Sequence, residues 1–204
     1  MAEFERGNGE TTFSKSERMI MPKFCLILIA TCCSFAFACR AQDATNVLKT
    51  EIENCEAQTG TVIVKGFGET GSLTTGAGVI SVRCKESIDV GHGLKQYGIA
   101  VELAANPPRD FFIVDYDEIG SLLSGIDYLS QITYSVTTLP AFEASFTTRS
   151  GLRVVAFSAV RQGGIHTYLQ FGDAPRISLA SDQLAQFQNL IVQAKNSLDA
   201  LKNK

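Results

Sequence analysis

Two stretches of this chain carry the same pattern at a constant offset of 65 positions. Asp117 falls on Asp182, Ile119 on Leu184, Leu122 on Phe187 and Ile126 on Ile191. Just ahead of them, Phe112 falls on Ile177 and Val114 on Leu179. A repeat of this period decides the architecture, because a unit of roughly 70 residues buries too little apolar surface to be very stable alone and must close its core against its copy. At 45% apolar and 19% charged residues, the chain has the composition of a folded protein.

Hydrophobic periodicity fills in the unit. A short amphipathic helix is expected over residues 44–56, presenting Val47, Leu48, Ile52 and Cys55. Strand-like runs follow at 61–67, 78–88, 96–103 and 111–114, separated by links rich in Gly or containing Pro, among them Gly68-Glu69-Thr70-Gly71 and Gly91-His92-Gly93. Next comes a helix with Asp115 or Asp117 as its cap and Ile119, Leu122, Leu123, Ile126 and Leu129 on one face. The second half repeats the plan. Residues 141–148 alternate, Arg149-Ser150-Gly151 turns into 152–159, and 165–171 and 177–179 follow. A helix from Ser181 or Asp182 then carries Leu184, Phe187, Leu190, Ile191, Ala194, Leu198 and Leu201, an apolar face that serves as core, as an interface between copies, or as both. The expected fold class is α+β: two antiparallel ββββα units, about 61–132 and 141–202, packed as one domain over 42–204 and preceded by a short helix.

The first forty residues read as an address. Residues 24–38 carry no charge, Lys23 precedes them, and Ala36-Phe37-Ala38 gives the small-x-small pattern of a signal-peptidase site. The run is short for a membrane-spanning helix, which needs ~20 apolar residues. Cleavage is expected near Ala38 or Ala41, placing the mature chain in the periplasm or outside the cell, with an uncleaved N-terminal anchor as the alternative. Met19 and Met21 would each open an ordinary signal peptide, so residues 1–18 are open to being a misassigned start. Cys39 sits where a bacterial lipidated cysteine would, but Phe37 and the absence of Leu or Val three positions before it make a poor lipobox.

Beyond the signal only Cys55 and Cys84 remain. They are a candidate disulfide in an oxidising compartment, or two separate buried thiols. Two cysteines without a nearby histidine pair do not make a zinc set, and no metal or cofactor is expected. His92 lies in a Gly-flanked turn and His166 in a strand, and no nucleophile motif surrounds either. Asp115, Asp117 and Glu118 form the densest acidic cluster, but ahead of a helix carboxylates cap free N–H groups and complement the dipole. The glycine-rich Lys65–Gly71 lacks the Gly-Lys-Ser/Thr ending of a phosphate loop and reads as a hairpin turn. These residues point away from an enzyme.

The plan of four antiparallel strands and a helix, written twice, resembles the Whirly family and the related single-stranded-DNA-binding transcriptional coactivators. The local similarity is Pro175-Arg176-Ile177-Ser178-Leu179 followed by Ser181-Asp182-Gln183-Leu184 and the long terminal helix. The resemblance implies contacts to single strands from basic and aromatic side chains on outer sheet faces: Arg149, Arg153, Arg161 and Arg176, with Tyr168, Phe157 and Phe171 for stacking. A net charge of -3, an acidic first half and a signal segment argue against nucleic acid as the partner. The expected function is therefore an exported, non-enzymatic binding or interaction module whose ligand or protein partner the sequence does not name. A Whirly-like nucleic-acid-binding protein and an enzyme with a site assembled from distant residues are the alternatives.

Overall fold

The computed structural model describes residues 50–104, 111–158, 163–173 and 176–203. The signal segment, residues 44–49 of the first expected helix and Arg161 lie outside them. The fold is α+β, with two four-stranded antiparallel sheets, each followed by a long helix, and a short helix ahead of both. Helix α1 is Glu51–Glu56. The first sheet, in order β1-β2-β3-β4, is built from β1 (Ile63–Thr75), β2 (Gly78–Asp89), β3 (Leu94–Ala104) and β4 (Phe112–Asp115). Helix α2 (Tyr116–Ser130) follows. The second sheet runs β5 (Glu143–Thr147), β6 (Leu152–Ser158), β7 (Ile165–Phe171) and β8 (Ile177–Leu179), and α3 (Ser181–Lys202) closes the chain.

The offset of 65 holds at the level of elements, since α2 begins at Tyr116 and α3 at Ser181. The equivalent residues Ile119 and Leu184, Leu122 and Phe187, and Ile126 and Ile191 are all buried. One apolar core takes residues from both sheets and both long helices, including Ile80, Val82, Leu152, Val154, Leu122 and Phe187. The apolar face of α3 is thus core, while Leu201 at its end stays exposed. The helices cross between repeats. Helix α3 lies over the first sheet, where Gln183 Nε2 donates to the Thr74 carbonyl at 3.2 Å and Cys84 Sγ donates to the Ala194 carbonyl at 3.4 Å. Helix α2 meets the second sheet, with Gly125 so close to Phe146 that a Cβ there would stand 2.6 Å from its ring.

Three expectations are corrected. Lys65–Gly71 is no turn: β1 runs through it, with a bulge between Glu69 and Gly71, and the hairpin turns at Gly76-Ala77. The glycine at 71 answers to tertiary packing, because a Cβ there would lie 2.8 Å from Leu190 of α3. Asp115 stands at the N-cap position of α2 but makes no cap bond to that helix. Its carboxylate instead accepts from the Glu51 and Ile52 N–H groups at 2.7 and 3.3 Å, capping α1. The candidate pair Cys55–Cys84 is not joined, and both thiols are free and buried. Cys84 faces α3, whereas Cys55 sits on the opposite face of β2 with its thiol toward the Ser87 carbonyl. A central strand separates them, which no rotamer can bridge. Burial raises the Cys55 pKa, with Asp89 and Glu56 adding to the effect.

Candidate functional site

Alternation along β6 and β7 sorts their side chains onto two faces. Leu152, Val154 and Ala156 face the core, and Arg153, Val155 and Phe157 face outward. In register with these three, β7 places Gln170, Tyr168 and His166. Ser178 of β8 pairs with Tyr168, and Arg176 lies just before β8. The result is a face of two arginines, a histidine, an amide and two aromatic rings. The Phe157 ring stands edge-on to Tyr168 at 5.6 Å and tilted on His166 at 5.7 Å. The Arg176 guanidinium lies over the Tyr168 ring, 4.5 Å from its centroid. That lid leaves Tyr168 only 2% exposed, although it points away from the core. Its hydroxyl makes no hydrogen bond among the described residues, and burial, then the Glu143 charge, raise its pKa.

The two arginines are loosely held. Arg153 reaches Gln170, Glu143 and Ser145 at 3.4 Å each, beyond ordinary hydrogen-bond length. Arg176 is exposed. An incoming anion therefore competes with weak contacts.

Arg149 belongs elsewhere. It follows β5 in a turn where Gly151 has φ +91°, and its guanidinium donates to Asp115 at 3.0 Å and to Asp117 at 3.1 and 2.6 Å. Its backbone N–H donates to Glu118 at 2.9 Å. The acidic cluster thus clasps the second repeat to the start of α2. Hydrogen bonding from Arg149 lowers the Asp117 pKa and, in turn, raises that of Arg149. Glu118 moves the other way, raised by burial that outweighs Arg149, with one oxygen left unpaired.

Of the sequence candidates, the structure brings Arg153 and Arg176 together with Tyr168 and Phe157, commits Arg149 to the clasp and puts Phe171 in the core. His166 and Gln170 were not anticipated on this face, and the two-residue alternation of β7 against Arg153 and Phe157 is the signal that would have found them. His92, read as a flexible turn, is bonded through Nδ1 to Asp89 at 2.6 Å. Bonds from Thr61 and then His92 lower the Asp89 pKa despite burial.

On the outer face of the first sheet, by contrast, Lys85 and Arg83 are paired and α1 covers part of the surface. Ile52 and Cys55 of α1 lie on it, and Ile52 packs with Ala100 and Ile113. Lys85, 1% exposed, pairs with Glu56 at 2.7 Å and sits under the Phe111 ring at 4.8 Å. Arg83 is paired to Glu69 and Glu102 at 2.9 and 3.6 Å.

Among the described residues no group of three His, Cys, Asp or Glu could hold a metal ion, and no helix is long and apolar enough to cross a membrane. No protein-family model matches the chain, and comparisons with curated proteins and with solved structures find no match.

Proposed function

We propose that this protein is an exported, non-enzymatic binding module whose recognition surface is the outer face of the second sheet, and that its ligand is an anionic chain. The observation that carries the reading is the contrast between arginines. Arg149 is clamped by short bonds to two carboxylates, whereas among the described residues Arg153 has only contacts of 3.4 Å and Arg176 only an aromatic ring. Loosely held guanidinium forks on one sheet face suit carboxylate or phosphate groups. Three of the titratable groups with shifted pKa favour the non-enzymatic half. Asp117, Asp199 and Glu56 are each tied to a neighbouring Arg or Lys, as structural ion pairs are. Export rests on the charge-free run at 24–38 and the Ala36-Phe37-Ala38 site.

Two measurements test this. Intact mass and cell fraction should find a species beginning near Cys39 or Gln42 outside the cytoplasm, and a full-length chain retained inside would overturn export. Anisotropy titration with labelled oligogalacturonate and with labelled single-stranded oligo(dT) should find binding that R153E/R176E abolishes. The oligo(dT) arm addresses the second reading, a single-strand binder, which the partly exposed Phe157 ring on this face favours. Two phosphate contacts predict a slope of log K against log salt of about -1.4 on a single strand. Binding to neither polyanion at low salt would refute the surface assignment.

A further inference from the structure

The segment between the repeats builds a second concavity. After α2 the chain makes a 3-10 turn, Tyr134–Val136, before β5 begins at Glu143. Its own bonds hold it: Gln131 N–H to the Tyr128 carbonyl at 3.3 Å, Val136 N–H to the Thr133 carbonyl at 3.2 Å, and Leu139 N–H to Thr137 Oγ1 at 3.2 Å. The Tyr134 ring stands edge-on to Phe142 at 6.2 Å. Over the last turn of α2 this strap leaves a cleft of about 320 Å³ lined by Tyr128, Gln131, Ile132, Thr133, Ser135 and Val136. That volume lies at the lower end of the range for small-ligand sites, roughly 300–1,000 Å³.

The lining chemistry is selective. None of the six side chains is charged at neutral pH, so an ionic ligand would enter without a counter-ion. Thr133 and Ser135 hydroxyls bond only to each other, at 2.7 Å, and the Gln131 amide makes no hydrogen bond among the described residues. A purely apolar ligand would therefore strand the Gln131 amide and leave the two hydroxyls no partner beyond each other. Tyr128 is 61% exposed and supplies the cleft's one aromatic ring. Its negative face attracts C–H groups carrying partial positive charge. A ring with C–H groups on its faces and hydroxyls around its rim satisfies all of these demands. We propose that this cleft binds a neutral saccharide, stacked on Tyr128 with its hydroxyls bonded to Gln131, Thr133 and Ser135. The site is separate from the arginine face and does not depend on it.

The test is titration calorimetry of the purified protein against neutral gluco-, xylo-, manno- and N-acetylglucosamine hexasaccharides at up to about 10 mM, which reaches millimolar affinity. Saturable binding of at least one is expected, unchanged by salt. Because Tyr128 is exposed, Y128A should keep the thermal midpoint while weakening binding at least about tenfold. Q131A should weaken it as well, and R153E/R176E should leave it as it is, which separates this site from the anion face. Adding the matching insoluble polysaccharide distinguishes a free oligosaccharide from the end of a polymer, and capture by either supports the assignment. No neutral binder, binding confined to oligogalacturonate, or a Y128A protein that binds as the wild type would overturn it.

Discussion

Replacing Arg149 by Met removes three charge-assisted hydrogen bonds and keeps most of the side-chain length. The two acceptors lose unequally. Asp117 is 63% exposed, and its share is that of a surface pair, at most about 1 kcal/mol. Asp115 is 2% exposed, and stripping the partner from a buried carboxylate costs about 3–5 kcal/mol where nothing else solvates it. Here the N–H groups of Glu51 and Ile52 still point at it from the first turn of α1, which offsets part of that loss. The expected destabilisation is about 2–3 kcal/mol, a fall in Tm of roughly 4–12 °C for a domain of this size. D117N, which removes only the exposed acceptor, should cost below about 1 kcal/mol. Denaturant unfolding of the wild type, R149M and D117N gives the comparison. A wild-type midpoint for R149M, or D117N as costly as R149M, would refute the view that Asp115 is the acceptor that matters. A loss of polyanion binding in R149M at unchanged stability would return Arg149 to the recognition surface.

Three further expectations follow from packing and charge. A Cβ at Gly98 would lie 2.5 Å from the Val114 carbonyl and 2.7 Å from Ile52, so G98A must displace backbone and should cost at least about 2 kcal/mol; G71A meets only the end of Leu190 and should stay within about 1 kcal/mol, and equal costs in denaturant unfolding would contradict this. Asp117 and Asp199 have lowered pKa values, so their stabilisation is present above about pH 4 and is lost as pH falls through the folded values; Glu118, raised, contributes stability at low pH that is lost as pH rises through its folded value. E118Q should therefore gain on the wild type as pH rises from about 4 to 7, and a difference that stays flat with pH would count against it. Peptide mapping after alkylation without reductant should find Cys55 and Cys84 on separate alkylated peptides, and a peptide joined through both would contradict the opposite-face geometry.

The long helices and the repeat were legible because their signal is local and redundant: Leu184, Phe187, Ile191, Ala194 and Leu198 mark one stripe over about four turns, and the same stripe recurs in α2. What stayed hidden depends on partners far along the chain. Asp115 reads as a cap for the helix it begins, and its donors sit 64 and 63 residues earlier, in α1. Gly66, Gly68 and Gly71 read as turn residues, but the reason for the last is Leu190, which is remote in sequence. Cysteine spacing says nothing about which face of a strand each thiol takes, and parity along β2 settles it only once α1 is known to lie on the side of Ser87. The arginines divide on the same principle. Arg149, Arg153 and Arg176 look alike in sequence, and only the neighbouring carboxylates distinguish a structural clasp from available charge.

The repeat gives a reason for placing the proposed recognition surface on one half. Equivalent outer faces arise from the same plan, but α1 precedes only the first. It lays Ile52 and Cys55 on that sheet and supplies Glu56, held below the usual carboxylate range by Lys65, Lys85 and Ser87 even though burial pushes the other way. Lys85 is thereby neutralised where it stands, and Arg83 is paired by Glu69 and Glu102 of the neighbouring strands. On the second sheet Glu143 alone among the described residues opposes Arg153, and loosely. If the asymmetry is what makes that face a binding surface, charge placed on the first sheet should not substitute for it. E69Q/E102Q, which frees Arg83 on the first sheet, should leave polyanion affinity unchanged in a background carrying R153E/R176E. Recovery of binding there would show that net charge, and not the arrangement of Arg153, Arg176 and the ring of Tyr168, governs recognition.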